Sequence, residues 1–314
     1  MDKKGFLQMS FQWIFAIIVG AVILVLTIYG VTRFVDLEQG KQDVQKAQQI
    51  ETLLNPLESS FETGKSIAIS TNIRTKIYTE CDSFGEIGEQ KISVQQENLD
   101  KKANIMNSVT SRNRYIFSNC PVEGKRFYLF SKPLNLPFKV GDMIYLSSEN
   151  EFYCFQNPPN KTKEELKNLN QPNIIVNNCS EDILLQNSTT EVCFGSASDC
   201  DVNVDYENQI IKRDEENIPF LNDALMYAGI FSDIETYKCQ LKRLLDRVEK
   251  LSSVYIEKSN IVSSICSSNE LKAPLLVLKE RAKNYEEPSN LVALSNVIKT
   301  LEERNEASWG CRLW

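Results

Sequence analysis

Histidine is absent from the 314 residues. That removes the Ser-His-Asp and Cys-His catalytic arrangements and every histidine-containing metal site. The nine cysteines include no C-x-x-C pair, so a zinc knuckle is not indicated either. Basic charge is not in excess. With 35 Lys and Arg against 42 Asp and Glu, the net charge is −7, and nucleic acid is not an expected partner. Gly85, Gly88, Gly124, Gly141 and Gly195 are scattered and read as turn glycines; they form neither a dinucleotide fingerprint nor a P-loop, and no cofactor is expected. Long apolar runs are missing except in one place.

That place is the segment from Phe11 to Tyr29, apolar apart from Gln12, Thr27 and the small Gly20. At ~1.5 Å per residue a helix of this length nearly matches the ~30 Å hydrocarbon layer. The sequence predicts a basic leader over 1–10 and a membrane span over 11–32. A cleavable secretory signal has a shorter apolar core followed by small residues, whereas this block runs on through Tyr29, Val31 and Phe34. Lys3 and Lys4 precede the span, and beyond it Arg33 is diluted by Asp36 and Glu38, so the positive-inside bias puts the N-terminus in the cytoplasm and the remainder outside. Trp13 and Tyr29 mark the two interfaces, and the expected partner is membrane lipid. The other reading is an apolar helix buried in its own domain.

Lys3-Lys4-Gly5, then Gln8-Met9-Ser10-Phe11-Gln12-Trp13 and an apolar helix, resembles the leader of archaeal type IV pilins, above all the class III form. The resemblance covers about the first thirty residues. It implies trimming by a prepilin-type peptidase near Gly5, Leu7 or Gln8, retention of the helix, and assembly with itself or other pilin-like subunits. Gln12 stands at the assembly position, where the family has glutamate, and Leu7 stands where it has glycine. A neutral Gln12 offers a neighbouring subunit's amino terminus only a hydrogen bond, which fits a minor or non-polymerising member. Gly20 and Ala21 are small enough for close helix packing in a bilayer.

Beyond the span, Leu37, Val44, Ala47, Ile50, Leu54, Leu57 and Phe61 recur at helical spacing, predicting a stalk helix over 33–65 that Pro56 should kink or break. From Ser66 the period changes to two: Ile67, Ile69, Thr71, Ile73, Thr75 and Ile77 alternate as in a half-buried strand. Short strands follow at 92–94, 115–117, 127–130, 143–146 and 152–155, with turn signals at 122–125 and 139–142. Pro133 and Pro137 argue for an edge or connecting segment between them. After Pro158-Pro159 a helix is expected near 163–169, then a strand at 174–176 and a pair at 202–206 and 209–212. The fold class is therefore α+β, with a mainly antiparallel, β-rich head over 66–212.

Residues 213–314 read as helical. Ser232 with Glu235 suggests a capping box. Behind it Ile234, Tyr237, Leu241, Leu244, Val248, Leu251, Tyr255 and Val262 hold a three-four seam, broken by Lys258. A short helix over 275–283 follows Pro274. Leu291, Leu294, Ile298 and Leu301 form a second seam, capped by Ser289 or Asn290, and a helical hairpin burying both seams is expected. The aromatic end, Trp309 to Trp314, should dock on the head with Cys311 as its tether, contact with a membrane surface being the alternative.

Cys81, Cys120, Cys154, Cys179, Cys193, Cys200, Cys239, Cys266 and Cys311 all lie beyond the span, which suits an oxidising exterior and up to four disulfides with one thiol left over. Buried free thiols are the alternative. Cys193 and Cys200 are spaced for a local loop. Cys239 and Cys266 are not expected to pair, because a continuous helix would hold them ~40 Å apart. Asn160, Asn178 and Asn187 each open an N-x-Ser/Thr acceptor pattern. Asp199, Asp201, Asn203 and Asp205 stand at every second position but lack the glycine and glutamate of a calcium loop, so a strand with one wet face is the better reading. The sequence thus predicts an anchored surface protein for envelope assembly or adhesion, not an enzyme. A tethered receptor or ligand-binding module is the alternative, and a hydrolase using paired carboxylates is the third possibility.

Overall fold

The computed structural model describes residues 13–33, 66–96, 108–179, 188–195, 200–263, 270–285, 291–308 and 310–314. Among them are six helices and two six-stranded mixed sheets. Helix α1 (Trp13–Arg33) is the one helix among the described residues long and apolar enough to cross a membrane. All its side chains are exposed, Leu26 by 63% and Val25 by 66%, so it is not a core helix of its own domain. Its polar groups are satisfied within the helix: the Thr27 hydroxyl donates to Ile23 O at 2.7 Å, and the Arg33 guanidinium lies 5.8 Å from the Tyr29 ring centre. Nothing packs against Gly20, and Ala21 is exposed. The leader positions Gly5, Leu7 and Gln8, the assembly position Gln12 and the stalk over 34–65 lie outside the described residues, as do Asn187 and Cys266.

The first sheet runs β3-β2-β1-β5-β6-β4: β1 (Ser66–Asp82), β2 (Glu89–Gln96), β3 (Ser108–Ser111), β4 (Tyr115–Phe117), β5 (Val122–Asn135) and β6 (Lys139–Ser148). All neighbours are antiparallel except β4 and β6. The alternation that marks β1 holds on both sides of a register shift between Ser70 and Thr75: Ile67, Ile69 and Thr71 are half-buried, Thr75, Ile77 and Thr79 are buried after it, and Ile73 alone of the series is exposed. Tyr115, Phe117, Met143 and Tyr145 belong to one core, and the intervening Ile116, Ile144 and Leu146 to a second. Both faces of β4 and β6 are therefore covered, which explains why these strands are apolar at nearly every position. The turn signals at 122–125 and 139–142 are corrected: both fall inside strands. These glycines serve close approach. A Cβ on Gly124 would lie 3.2 Å from Ser148 Cβ, and one on Gly141 would lie 3.1 Å from the Tyr115 ring. Pro133 pairs with Asp142 on β6, and among the described residues β1 pairs with β5 only as far as Phe130, so proline is tolerated on this side of the strand.

The second sheet runs β12-β11-β10-β9-β7-β8: β7 (Phe152–Gln156), β8 (Ile174–Val176), β9 (Thr189–Phe194), β10 (Val202–Asp205), β11 (Ile210–Arg213) and β12 (Glu216–Pro219). This sheet is mixed: β8, β7, β9 and β10 pair in parallel, whereas β10, β11 and β12 pair antiparallel. The reason lies in the connection. Helix α2 (Asn160–Asn168) stands between β7 and β8, and a strand-helix-strand crossover returns its second strand parallel to the first. In β10, Val202 and Val204 are buried and Asn203 and Asp205 half-buried, the wet-faced strand expected of that alternation.

Helix α3 (Asp223–Phe231) is buried along its whole length between the sheets, as its composition on every side requires. Asn222 caps it, accepting from Leu225 N at 3.1 Å. At Gly229 a Cβ would come within 2.6 Å of Ile211 on β11, so glycine sets the helix-to-sheet distance. Phe231 contacts Phe130, Tyr153 and Phe155 and joins the two sheets through one aromatic cluster. Helix α4 (Ile234–Val262) begins one residue later than the anticipated cap: Asp233 accepts from Thr236 N, while the Ser232 hydroxyl donates back to Ala228 O.

The seams Tyr237–Val248 and Leu291–Leu301 are both buried, and the short helix stands between the two long ones. Helix α4 packs on α5 (Lys272–Lys283), and α5 packs on α6 (Val292–Ala307). Lys258, the break in the seam, donates to Leu313 O and so holds the tail. Trp314 meets Phe138 and Tyr255 edge-on, and Asn305 clamps the tail by accepting from Leu313 N at 2.8 Å and donating to Trp314 O at 3.0 Å. The docked tail is thus present as expected. Replacing Asn305 with alanine strands two polar groups, one of them buried, and should lower stability by about 2 kcal/mol in a urea titration.

Candidate functional site

Three of the cysteine pairs are bonded to each other: Cys81–Cys239, Cys154–Cys179 and Cys193–Cys200. Cys311 is disulfide-bonded as well, and Cys120 is the free thiol among the described residues. The bridge from β1 to α4 spans 158 residues of sequence, and the predicted local loop from Cys193 to Cys200 is closed. The Glu191 carboxylate lies with both sulfurs of that loop within 4.8 Å. Sulfurs joined to each other leave no thiolate to ligate a metal, so in this state the group is not a metal site. Asn160 and Asn178 are exposed, the first beginning α2 and the second following β8.

A polar cleft of about 560 Å³ opens where β5, α2, α3 and α6 meet. Lys132, late in β5, and Asp223, at the start of α3 after its Asn222 cap, come together, and α2 adds Lys161 and Glu165. Lys132 donates to Glu165 Oε1 at 2.5 Å and lies 3.9 Å from Asp223 Oδ2. Lys161 donates to the same Asp223 oxygen at 2.6 Å. Tyr206 donates to Asp223 Oδ1 at 2.8 Å and Tyr227 to Glu165 Oε2 at 3.2 Å. Every oxygen of both carboxylates therefore has a donor.

The two lysines differ in their setting. The Lys132 side chain is 13% exposed and fixed under the Tyr227 ring, whereas that of Lys161 is 75% exposed. Burial works against the Asp223 carboxylate, but the hydrogen bonds from Lys161 and Tyr206 outweigh it and hold the pKa below its ordinary value. Lys161 is raised in return by the bond to Asp223. A carboxylate locked in its ionised form is no proton donor at neutral pH, so Asp223 does not supply the general acid that paired-carboxylate hydrolysis needs. Around this quartet, Glu164 and Glu302 line the cleft without an ion-pair partner among the described residues, and Asn135, Asn168 and Asn222 add amides. Burial, then the charge of Glu306, pushes the Glu302 pKa up.

None of these cleft residues stood out in the sequence. Lys132 and Asp223 are 91 positions apart, and the only local sign was the Asn222 cap. No family model, curated protein or solved structure matches this chain.

Proposed function

We propose that the protein is a single-pass, membrane-anchored surface protein of pilin-like type, with its N-terminus in the cytoplasm and a disulfide-braced head outside. The observation that carries this reading is α1, twenty-one residues whose apolar side chains pack on nothing in the head. Such a helix spans about 31 Å and leaves that surface to lipid. The disulfides support an oxidising exterior. The pilin-like part rests on the Lys3-to-Trp13 pattern, with Gln12 favouring a minor or non-polymerising subunit and Gly20 and Ala21 as contact points between neighbouring helices.

The full chain should sediment with membranes after an alkaline wash, and its head should be cleaved by protease added outside intact cells. A mature N-terminus at Phe6 or Gln8 supports peptidase trimming; an intact Met1 removes it. Recovery of the full chain in the soluble fraction would overturn the anchor itself. A tethered binding module, which never polymerises, is the second reading, and the cleft between β5, α2, α3 and α6 favours it.

A further inference from the structure

Lys161 is an internal ligand. Its ammonium sits on an oxygen of Asp223, whose side chain is only 11% exposed, while its own stem lies largely in solvent. Exposed lysine pairs of this kind are weak because the long side chain is held at an entropic cost and water competes for both partners. The charge around the seat is one-sided. Lys132 and Lys161 line the cleft with Glu164, Glu165, Asp223 and Glu302, leaving the lining at −2, and Glu164 and Glu302 are carboxylates without an ion-pair partner among the described residues. An anion entering here meets net repulsion, whereas a cation gains one nearly buried carboxylate and two more nearby.

We propose that the cleft is a binding site for a primary ammonium group, carried by a free polyamine or by a lysine side chain of a peptide, which displaces Lys161 from Asp223. Asp223 receives the ammonium. Glu164 and Glu302 attract it, and Asn168 and Asn222 are placed to meet polar atoms of the remainder. Lys132 stays on Glu165 and keeps that carboxylate from collapsing onto the incoming cation. At about 560 Å³ the cleft admits such a chain but not a folded partner. This inference concerns the cleft alone and is independent of whether α1 lies in a membrane.

The test is ligand-observed NMR titration of the full chain in neutral detergent, with spermidine, a lysine-containing tripeptide, sodium phosphate and calcium chloride as probes at constant ionic strength. Lys161→Met, which removes the internal occupant, should tighten amine binding about fivefold. Lys212→Met changes net charge equally on exposed β11 and should leave it unchanged. Glu164→Gln with Glu302→Gln should weaken it about threefold or more. Binding of spermidine or of the tripeptide with that pattern supports the site and tells which source it takes. The proposal fails if neither amine binds, if Lys161→Met weakens or does not alter amine binding, if Lys212→Met tightens it equally, or if phosphate or calcium displaces the amine at matched ionic strength. Lys161→Gln repeats the critical comparison should the methionine variant fold poorly.

Discussion

Replacing Arg243 with methionine should destabilise the head by about 4 kcal/mol, enough to shift a urea midpoint by more than 1 M. Arg243 is fully buried on α4. Its Nε donates to Ile87 O at 3.2 Å, one terminal nitrogen to Arg114 O at 2.9 Å and Gln240 Oε1 at 2.7 Å, and the other to Arg112 O at 3.0 Å. The guanidinium also stacks 4.9 Å from the Tyr115 ring centre. Burial pulls its pKa down, yet a guanidinium starts so high that it stays charged. No carboxylate bonds it directly; three main-chain carbonyls and one amide hold it instead. Methionine roughly fills the volume but removes the donor from the buried Arg114 carbonyl and the buried Gln240 amide oxygen, and from the part-buried Ile87 and Arg112 carbonyls, which is where the loss originates. Lysine keeps the charge but not the fork, so it should recover only part of the stability. A midpoint within 0.3 M of the parent for the methionine variant would show that water replaces the guanidinium without loss.

The second large effect depends on pH. Glu151, in the turn between β6 and β7, is pushed by burial to a pKa of about 7 from 4.5, even though it accepts Ser148 N at 2.9 Å. A carboxyl whose folded pKa is raised favours the protonated form in the fold. Its contribution is complete below about pH 4.5, declines as pH rises through 7, and is gone above. Across that window the parent should lose about 3 kcal/mol relative to Glu151→Gln, because one pKa unit is worth about 1.4 kcal/mol. The two proteins should have similar melting temperatures at pH 4.5, and the glutamine variant should melt higher at pH 8. Parallel curves from pH 4.5 to 8 would place the Glu151 carboxyl in water.

Much of the fold could be read from residue spacing. Tyr115-Ile116-Phe117, Ile174-Ile175-Val176 and the seam from Tyr237 to Val248 are local patterns, and local patterns survive folding. Partner choice is different. Whether Phe152–Gln156 pairs in parallel with Ile174–Val176 is decided by the path of α2, and the helix expected between those two strands was the one local sign of it. Gly124 and Gly141 misled because glycine serves both tight turns and close backbone approach, and the neighbours that decide between them are distant in sequence. Lys258 looked like a flaw in the seam until the tail carbonyl it holds came into view. The cleft was illegible for the same reason as the sheet order: Lys132, Glu165 and Asp223 are ordinary charged residues, and only their convergence gives them chemistry.

Strand β1 bears on how the head would respond to a pull. Tension entering at Ser66 runs along a strand hydrogen-bonded to β5 and then β2, so it loads their ladder bonds in shear and not one after another like a zipper. At the far end Cys81 is covalently joined to Cys239 on α4, and stretching stops at that bond unless the long helix moves with it. For a head held from its N-terminal side, the rate of rupture under such a pull is set by the unfolding barrier and not by equilibrium stability.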